Sequence, residues 1–260
     1  MSYDSKAAAA FYDAYGEREW TRFEDGRTPA TSVATHVHYL EQFVHAGDHV
    51  LDVVCGPGRF TLELARLGAR VAAADVSPGQ LELHRQYTES VDAAVEDRVV
   101  ADIVDLSQFS DASFDAVVCF GGPLSYVLDE APRAVAELAR VTRPGGHVLV
   151  SMMCLLGSTL RSPLSELVAN VGPDVVHEVT STGRLGPEHT NGHLEMQLYR
   201  WSELEALLTP HGTLVAAAAA GIFGNVDPAD LELASQLELD FGAEPGARDA
   251  GNHIIAVLRV

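Results

Sequence analysis

Lysine is nearly absent from this 260-residue chain: Lys6 is the only one, and 17 basic residues stand against 37 acidic ones for a formal net charge of −20. A surface of that sign repels phosphate backbones and anionic membranes, so nucleic acid is a poor match as a partner. The same lysine-poor, acid-rich balance fits a salt-adapted surface, on which screening shortens the range of that repulsion. Cysteine is scarce too. Cys55, Cys119 and Cys154 are odd in number, lie in or beside apolar runs and show no C-x-x-C spacing, which argues against a disulfide or zinc framework and for buried, reduced thiols. The 11 histidines show no H-E-x-x-H or similar ligand spacing, so no metal is expected. No apolar stretch approaches the ~20 residues of a membrane span, and no basic-then-apolar leader opens the chain. The expectation is a cytoplasmic protein with no membrane partner.

What is present is apolar: 47% of residues, with 22 glycines and 12 prolines scattered as turn punctuation and no repeat or low-complexity linker. That predicts one α/β domain with a modest insertion. Helix-forming segments run from Ser5 to about Phe23, divisible at Gly16, and across "TSVATHVHYLEQFV". Short apolar runs then alternate with helical ones. "HVLDVV", "RVAAADV", "EDRVVADIVD", "SFDAVVCFGG" and "HVLVSMM" read as strands; "RFTLELARLG", "SPGQLELHRQYTESV" and "DEAPRAVAELARVT" read as helices, with "RPGG" as a turn. "TLVAAAAAG" and "NHIIAVLRV" supply a sixth and a seventh strand, preceded by a helix in "SELEALLTPHG" with Ser202 and Glu205 as a capping box. Between residues 155 and 200, "VVHEVTSTGRL" and "HLEMQLYRW" look like two strands of a small antiparallel cap. The prediction is a doubly wound, mostly parallel seven-stranded sheet carrying that cap. The expected division is a helical lid over residues 1–44, a cofactor-binding core over 45–154, a cap over 155–200 and the remaining sheet over 201–260.

Chemistry concentrates after the first strand. Gly56 and Gly58 in "CGPG" remove side chains that would keep backbone amides from a ligand, and the loop feeds a helix N-terminus. Asp75 closes the second strand 19 residues beyond Gly56, where a carboxylate can accept hydrogen bonds from both hydroxyls of a ribose. This much fits a nicotinamide-dependent oxidoreductase, but "GPGRFT" carries Thr61 in place of the third glycine of G-x-G-x-x-G. Asp52, four residues before Gly56, suits a ligand with a cationic end better than a pyrophosphate.

"VLDVVCGPGRFT", followed in order by "ADVSPGQL", "ADIVDL", "SFDAVVCFGGPLSYV" and "RVTRPGGHVLVS", resembles the class I S-adenosylmethionine-dependent methyltransferases over roughly residues 45–153. The resemblance implies a Rossmann-like fold, S-adenosyl-L-methionine as cofactor and S-adenosyl-L-homocysteine as product. It places Asp52 and the loop Val54, Cys55, Gly56 and Gly58 on the methionine part, Asp75 on the ribose, and Val76, Asp102 and Ile103 on the adenine. Phe120 and Gly121 fall beneath the sulfonium. Val54 departs from the family, which has glycine or alanine there; the β-branched side chain disfavours a positive φ, and the expected outcome is that the loop tolerates it with the side chain turned into the core.

Positioning an acceptor in line with a reactive sulfonium accounts for much of such catalysis, so no obvious catalytic residue is required. Candidates are His189 and His193, near neutral pH a possible base, and Tyr126; Tyr12, Tyr15, Trp20, Ser125, Glu195, Met196, Tyr199 and Trp201 are further substrate contacts. "GGPL" stands where amino-methylating enzymes often carry N-P-P-[YF], which favours a small-molecule acceptor, oxygen or nitrogen. A cofactor-binding protein without transferase activity remains the alternative that Val54 suggests.

Overall fold

The computed structural model describes residues 2–91, 93–190 and 192–260. Asp4 caps the first helix, α1 (Ser5–Tyr15), by accepting from the amides of Lys6 and Ala7, and Gly16 ends it with φ +56°. A short α2 (Arg18–Thr21) and then α3 (Ala30–Phe43) follow. The core alternates as expected: β1 (His49–Val53), α4 (Arg59–Arg66), β2 (Arg70–Asp75), α5 (Pro78–Ser90), β3 (Val95–Val100) and β4 (Phe114–Cys119). Ser77 caps α5 through its Oγ, which accepts from Gln80 N, with Pro78 in the first turn. After α6 (Pro123–Tyr126) and α7 (Ala131–Val141) comes β5 (Thr142–Met153). "RPGG" lies inside this strand, and the β4–β5 register shifts there, so the expected turn is an irregularity of a long strand.

The segment from 155 to 200 is mostly helical: α8 (Leu155–Leu160), α9 (Leu164–Val171) and α10 (Pro173–Thr182) precede a two-residue antiparallel pair, β6 (Arg184–Leu185) with β7 (Met196–Gln197). The cap pairing is therefore present but shorter than expected, and "VVHEVTST" is helix. Pro173 in its first turn and Gly183 at φ +73° just past its end fix that outcome over the strand preference of its β-branched residues. The chain then forms α11 (Trp201–Leu208), β8 (Thr213–Ala220), α12 (Leu231–Gly242) and β9 (His253–Arg259). The cap of α11 also moves: Glu203, not Glu205, reaches back, accepting from Arg200 N.

The seven strands lie in the order β3-β2-β1-β4-β5-β9-β8, the first five parallel and β9 antiparallel between β5 and β8. Alternate residues face opposite layers. Leu51, Val117 and Val150 pack with Leu138 of α7 and Leu204 of α11, while Val50, Val118 and Val257 pack with Leu40 of α3 and Leu64 of α4. Strand order reverses between β1 and β4, which opens a crevice at their carboxyl ends. Antiparallel β9 brings its first residue, His253, beside Met153 and Ala220 at that same edge. Among the described residues no helix is long and apolar enough to cross a membrane.

The N-terminal segment crosses this edge. Asp13 Oδ1 accepts from Ser77 Oγ and Gly79 N, Gln80 Nε2 donates to the carbonyls of Tyr12 and Gly16, and Tyr3 donates its hydroxyl to Asp102. Helix α3 instead packs in the sheet's helix layer against α12 and β8. Thr35 Oγ1 there donates to the buried Glu238, which also accepts from the amides of Gly221 and Ile222.

Candidate functional site

Asp75 ends β2 with 3% of its surface exposed, and its two oxygens accept from Gly56 N and Ser77 N, each at 2.9 Å. Burial raises its pKa to about 6 against the opposing pull of those amides. Gly56 has φ +53°, and a Cβ on it would stand 3.7 Å from Glu19 Cγ and 4.0 Å from Gln80 Oε1. Gln80 Oε1 is buried without a hydrogen-bond partner. Around these groups lies a cavity with about 650 Å³ of empty space, open solvent included. Its apolar wall is Val54, Val76, Ile103, Phe120 and Val127, and its far end is Gly121, Arg22 and Tyr126.

A smaller adjoining cavity holds Asp52 and Cys55 along with Val54, Gly56 and Phe120. Asp52 is 2% exposed, and burial raises its pKa to about 7, opposed by the Thr61 hydroxyl and reinforced by Asp75. Thr61 Oγ1 stands 2.5 Å from Asp52 Oδ2 and 2.9 Å from His84 Nε2; Arg98 Nε reaches His84 Nδ1 at 3.1 Å. Donor arithmetic orients the whole chain. A guanidinium only donates, so His84 Nδ1 accepts, Nε2 carries the proton, and Thr61 accepts from it and donates to Asp52. Burial and Arg98 lower the His84 pKa to about 4, consistent with a neutral ring. The array uses one residue each from β3, α5, α4 and β1.

Gly58 is required by this packing. A Cβ there would lie 2.9 Å from His84 Cδ2, and φ is +95°, so its role is to admit the imidazole, which corrects the expectation that it clears the ligand side. Val54 adopts φ +57°, the conformation its branched side chain disfavours, while the side chain packs partly on the core and partly lines the cavity. The loop thus accommodates valine by holding it in the left-handed region, at ~1–3 kcal/mol of local strain. Asp102 lies outside the main cavity, held by Tyr3 and by Val104 N, whereas its neighbour Ile103 lines it.

Past Gly121 a second cavity of about 610 Å³ shares Tyr12, Glu19, Arg22, Gly121 and Tyr126 with the first. Tyr15, Arg27, Thr28, Pro29, Met153, His193, Asn252 and His253 also line it. His193 packs against Phe11 and Tyr126, with ring centroids at 4.6 and 5.2 Å, and burial lowers its pKa. His189 lines neither cavity; its Nε2 lies 3.5 Å from Glu188 on a short 3-10 turn. Trp20 stacks on Tyr87, Ser125 Oγ accepts from Met153 N, and Met196 joins the small core beneath the cap. Missed from the sequence were Tyr3, Glu19, Arg22, Gln80, His84, Arg98, His36 and His253. A polar residue opening an otherwise apolar strand was the available signal for His253, and Arg22 was one of few cations. Among the described residues no cluster of three or more His, Cys, Asp or Glu is arranged to hold a metal ion.

A doubly wound sheet with a glycine turn, a carboxylate at the end of the second strand and a cavity over its switch point has the features of a nucleoside-binding site. The chain matches the model of the methyltransferase domain family over residues 50–146. It is 37% identical over 109 residues to a malonyl-[acyl-carrier protein] O-methyltransferase from Serratia marcescens, an alignment spanning 42% of this chain and 40% of that one. With the ubiquinone biosynthesis O-methyltransferase of Alkalilimnicola ehrlichii it shares 32% identity over 198 residues, 75% of this chain and 73% of the other. The 1,6-didemethyltoxoflavin-N1-methyltransferase of Burkholderia thailandensis, solved with S-adenosylhomocysteine, superposes with a TM-score of 0.57 over 100% of this chain and 91% of that one, at 17% identity, a likeness of fold alone. The chain belongs to the class I S-adenosylmethionine-dependent methyltransferases, and S-adenosylmethionine is its cofactor. A nicotinamide-dependent oxidoreductase is not favoured.

Proposed function

We propose that the 650 Å³ cavity holds S-adenosylmethionine and that the cavity beyond Gly121 receives a small-molecule acceptor, methylated on oxygen or nitrogen. The observation that carries this reading is the pair of buried carboxylates on either side of the Gly56 cradle. Asp75 retains lone pairs for two ribose hydroxyls after meeting Gly56 N and Ser77 N, and Asp52, engaged by Thr61 through Oδ2, keeps Oδ1 for the ammonium. Val76 and Ile103 offer flat apolar surface for an adenine, with the orphaned Gln80 Oε1 beside it as an acceptor. Asp102 acts through Tyr3, closing the adenine end. Phe120 and Gly121 border the sulfonium end, and Cys55, Gly58 and Val54 shape the turn. Bound there, the cofactor supplies an electrophilic methyl group for in-line displacement.

The chain's own contribution is enclosure and alignment. Tyr12 and Tyr126, both held neutral by burial, wall the passage between the two cavities, and the N-terminal segment shuts out bulk water. The names of the relatives, one acting in ubiquinone biosynthesis and one on malonyl-[acyl-carrier protein], favour an oxygen acceptor. Calorimetric titration with S-adenosylhomocysteine and, separately, NAD⁺ tests the cofactor reading. One-to-one binding of the first alone is expected; binding of NAD⁺, or of neither at millimolar concentration, overturns it.

A further inference from the structure

The acceptor cavity differs from the rest of the molecule in charge. In a chain with 37 acidic residues, it has a single carboxylate among the described residues, Glu19, and Arg22 Nε holds that one at 2.6 Å. Arg22 Nη1 donates to Thr28, which leaves Nη2 without a hydrogen bond among the described residues, 3.4 Å from where a Gly121 Cβ would stand. A cationic amine entering here meets no free carboxylate. A developing oxyanion meets an unspent guanidinium N–H at the end of β4, where the two cavities join.

Opposite stands His253, 8% exposed, with Nδ1 enclosed and unpartnered and Nε2 3.8 Å from a Gly122 Cβ position. Behind it, His36 packs edge to face at 5.5 Å. His36 Nδ1 lies 2.7 Å from the Ser32 carbonyl and so must donate, which leaves Nε2 as a bare, enclosed lone pair. His253 Nδ1 and His36 Nε2 are each a buried polar atom without a partner, which is costly. The two nitrogens make no hydrogen bond to each other, and the tautomer of His253 with its proton on Nδ1 leaves Nε2 unprotonated to accept from an acceptor hydroxyl. The ring walls Tyr12, Tyr15 and Tyr126 with Met153 suit a flat, conjugated acceptor.

We propose that the acceptor is an acidic hydroxyl on a planar ring, a phenol or enol, and that His253 is its general base. This rests on the methyltransferase reading above and chooses oxygen within it. The hydroxyl O–H bond breaks and its proton passes to His253 Nε2. The oxygen's electron pair forms the O–CH3 bond as the S–CH3 bond breaks with its pair going to sulfur, and the imidazolium later releases the proton to water. The groups that bear on the His253 ring charge are His36, Arg22 and Arg161, all of which disfavour a second proton, and burial acts in the same direction. A weak base of this kind suits an acidic hydroxyl and fails with an aliphatic alcohol.

The probe is 4-nitrocatechol, whose visible band reports its ionisation, added to protein saturated with S-adenosylhomocysteine. Binding with the band shifted to the phenolate form at a pH where the free compound is mostly neutral is expected, and Arg22→Gln should abolish the shift. Methylation of the same probe should fall at least ~100-fold in kcat for His253→Gln, with KM and S-adenosylhomocysteine affinity little changed. If S-adenosylhomocysteine binds but 4-nitrocatechol does not, or binds as the neutral phenol, or if His253→Gln keeps full kcat, the acceptor proposal is wrong while the cofactor reading stands. If S-adenosylhomocysteine itself does not bind, the underlying reading fails first.

Discussion

Two sets of buried and half-buried polar side chains flank the switch point, and they differ in how completely they are satisfied. On the cofactor side, Arg98, His84, Thr61 and Asp52 form one directional array with every contact at 3.1 Å or less. On the acceptor side, His36, His253 and His193 each keep an enclosed nitrogen with no partner. Burying a polar group without a partner costs ~1–3 kcal/mol, so the first set is the less costly one, and under the proposal above His253 in the second serves an acceptor. Both sets reach the same sheet edge, the first through parallel strands and the second through antiparallel β9.

The largest effect should come from Asp75, the carboxylate beside the first set. Asp75→Ala removes a charged acceptor shared by two amides and the proposed ribose contact. A loss of ~3 kcal/mol, about 100-fold in S-adenosylhomocysteine affinity by calorimetry, is expected. Asp52 gives a pH signature next in size. Its carboxyl holds its proton to about pH 7 in the folded chain against an ordinary 3.8, and Asp75 to about 6. Their raised values mean the folded chain binds more protons than the unfolded one between about pH 4 and 7, so their contribution to the ligand-free protein's stability falls as pH rises through that window. The ammonium pairs only with the ionised form, so affinity should rise over the upper part of the same window and level off above pH 7. Asp52→Asn should flatten that rise and lower affinity about 10-fold at pH 8, roughly the 1.4 kcal/mol of one charged contact. A pH-independent affinity in the wild-type protein would contradict the ammonium assignment.

Within the array, Thr61→Val leaves His84 Nε2–H buried without an acceptor, and denaturant unfolding should register a loss of ~1–3 kcal/mol. Val54→Gly relieves the strain of φ +57° but loses side-chain packing and adds unfolded-state freedom, so a change in stability within ~1 kcal/mol and unaltered cofactor affinity are expected. The smallest effect belongs to His189, which lines neither cavity: His189→Gln should leave methylation kinetics within twofold of wild type, roughly the ±0.5 kcal/mol of a surface substitution.

How legible each region was follows from how its residues are connected. Asp52, Gly56 and Asp75 sit on one strand–turn–helix–strand unit, so spacing along the chain carries their geometry directly. The apolar runs that form β1, β2, β4 and β5 are continuous because both faces are covered, and that pattern is readable without contacts. Gly58 was found for an incomplete reason, since nothing local announces that His84, 26 residues on, needs its space. The acceptor cavity draws Arg22, Tyr126, His193 and His253 from four distant segments, and no periodicity links them. In the cap, Val175, Val176 and Val179 argued for a strand, yet Pro173 and Gly183 at the ends decided for helix α10.

The central claim is that Gly121 marks the junction where the cofactor's sulfur faces the His253 cavity. A crystal structure with S-adenosylhomocysteine bound tests it most directly. The account predicts ribose hydroxyls within hydrogen-bond distance of Asp75, the ammonium against Asp52, and the sulfur beside Gly121 opening toward Arg22 and His253. A sulfur directed away from that cavity, or a ribose that does not reach Asp75, would contradict it.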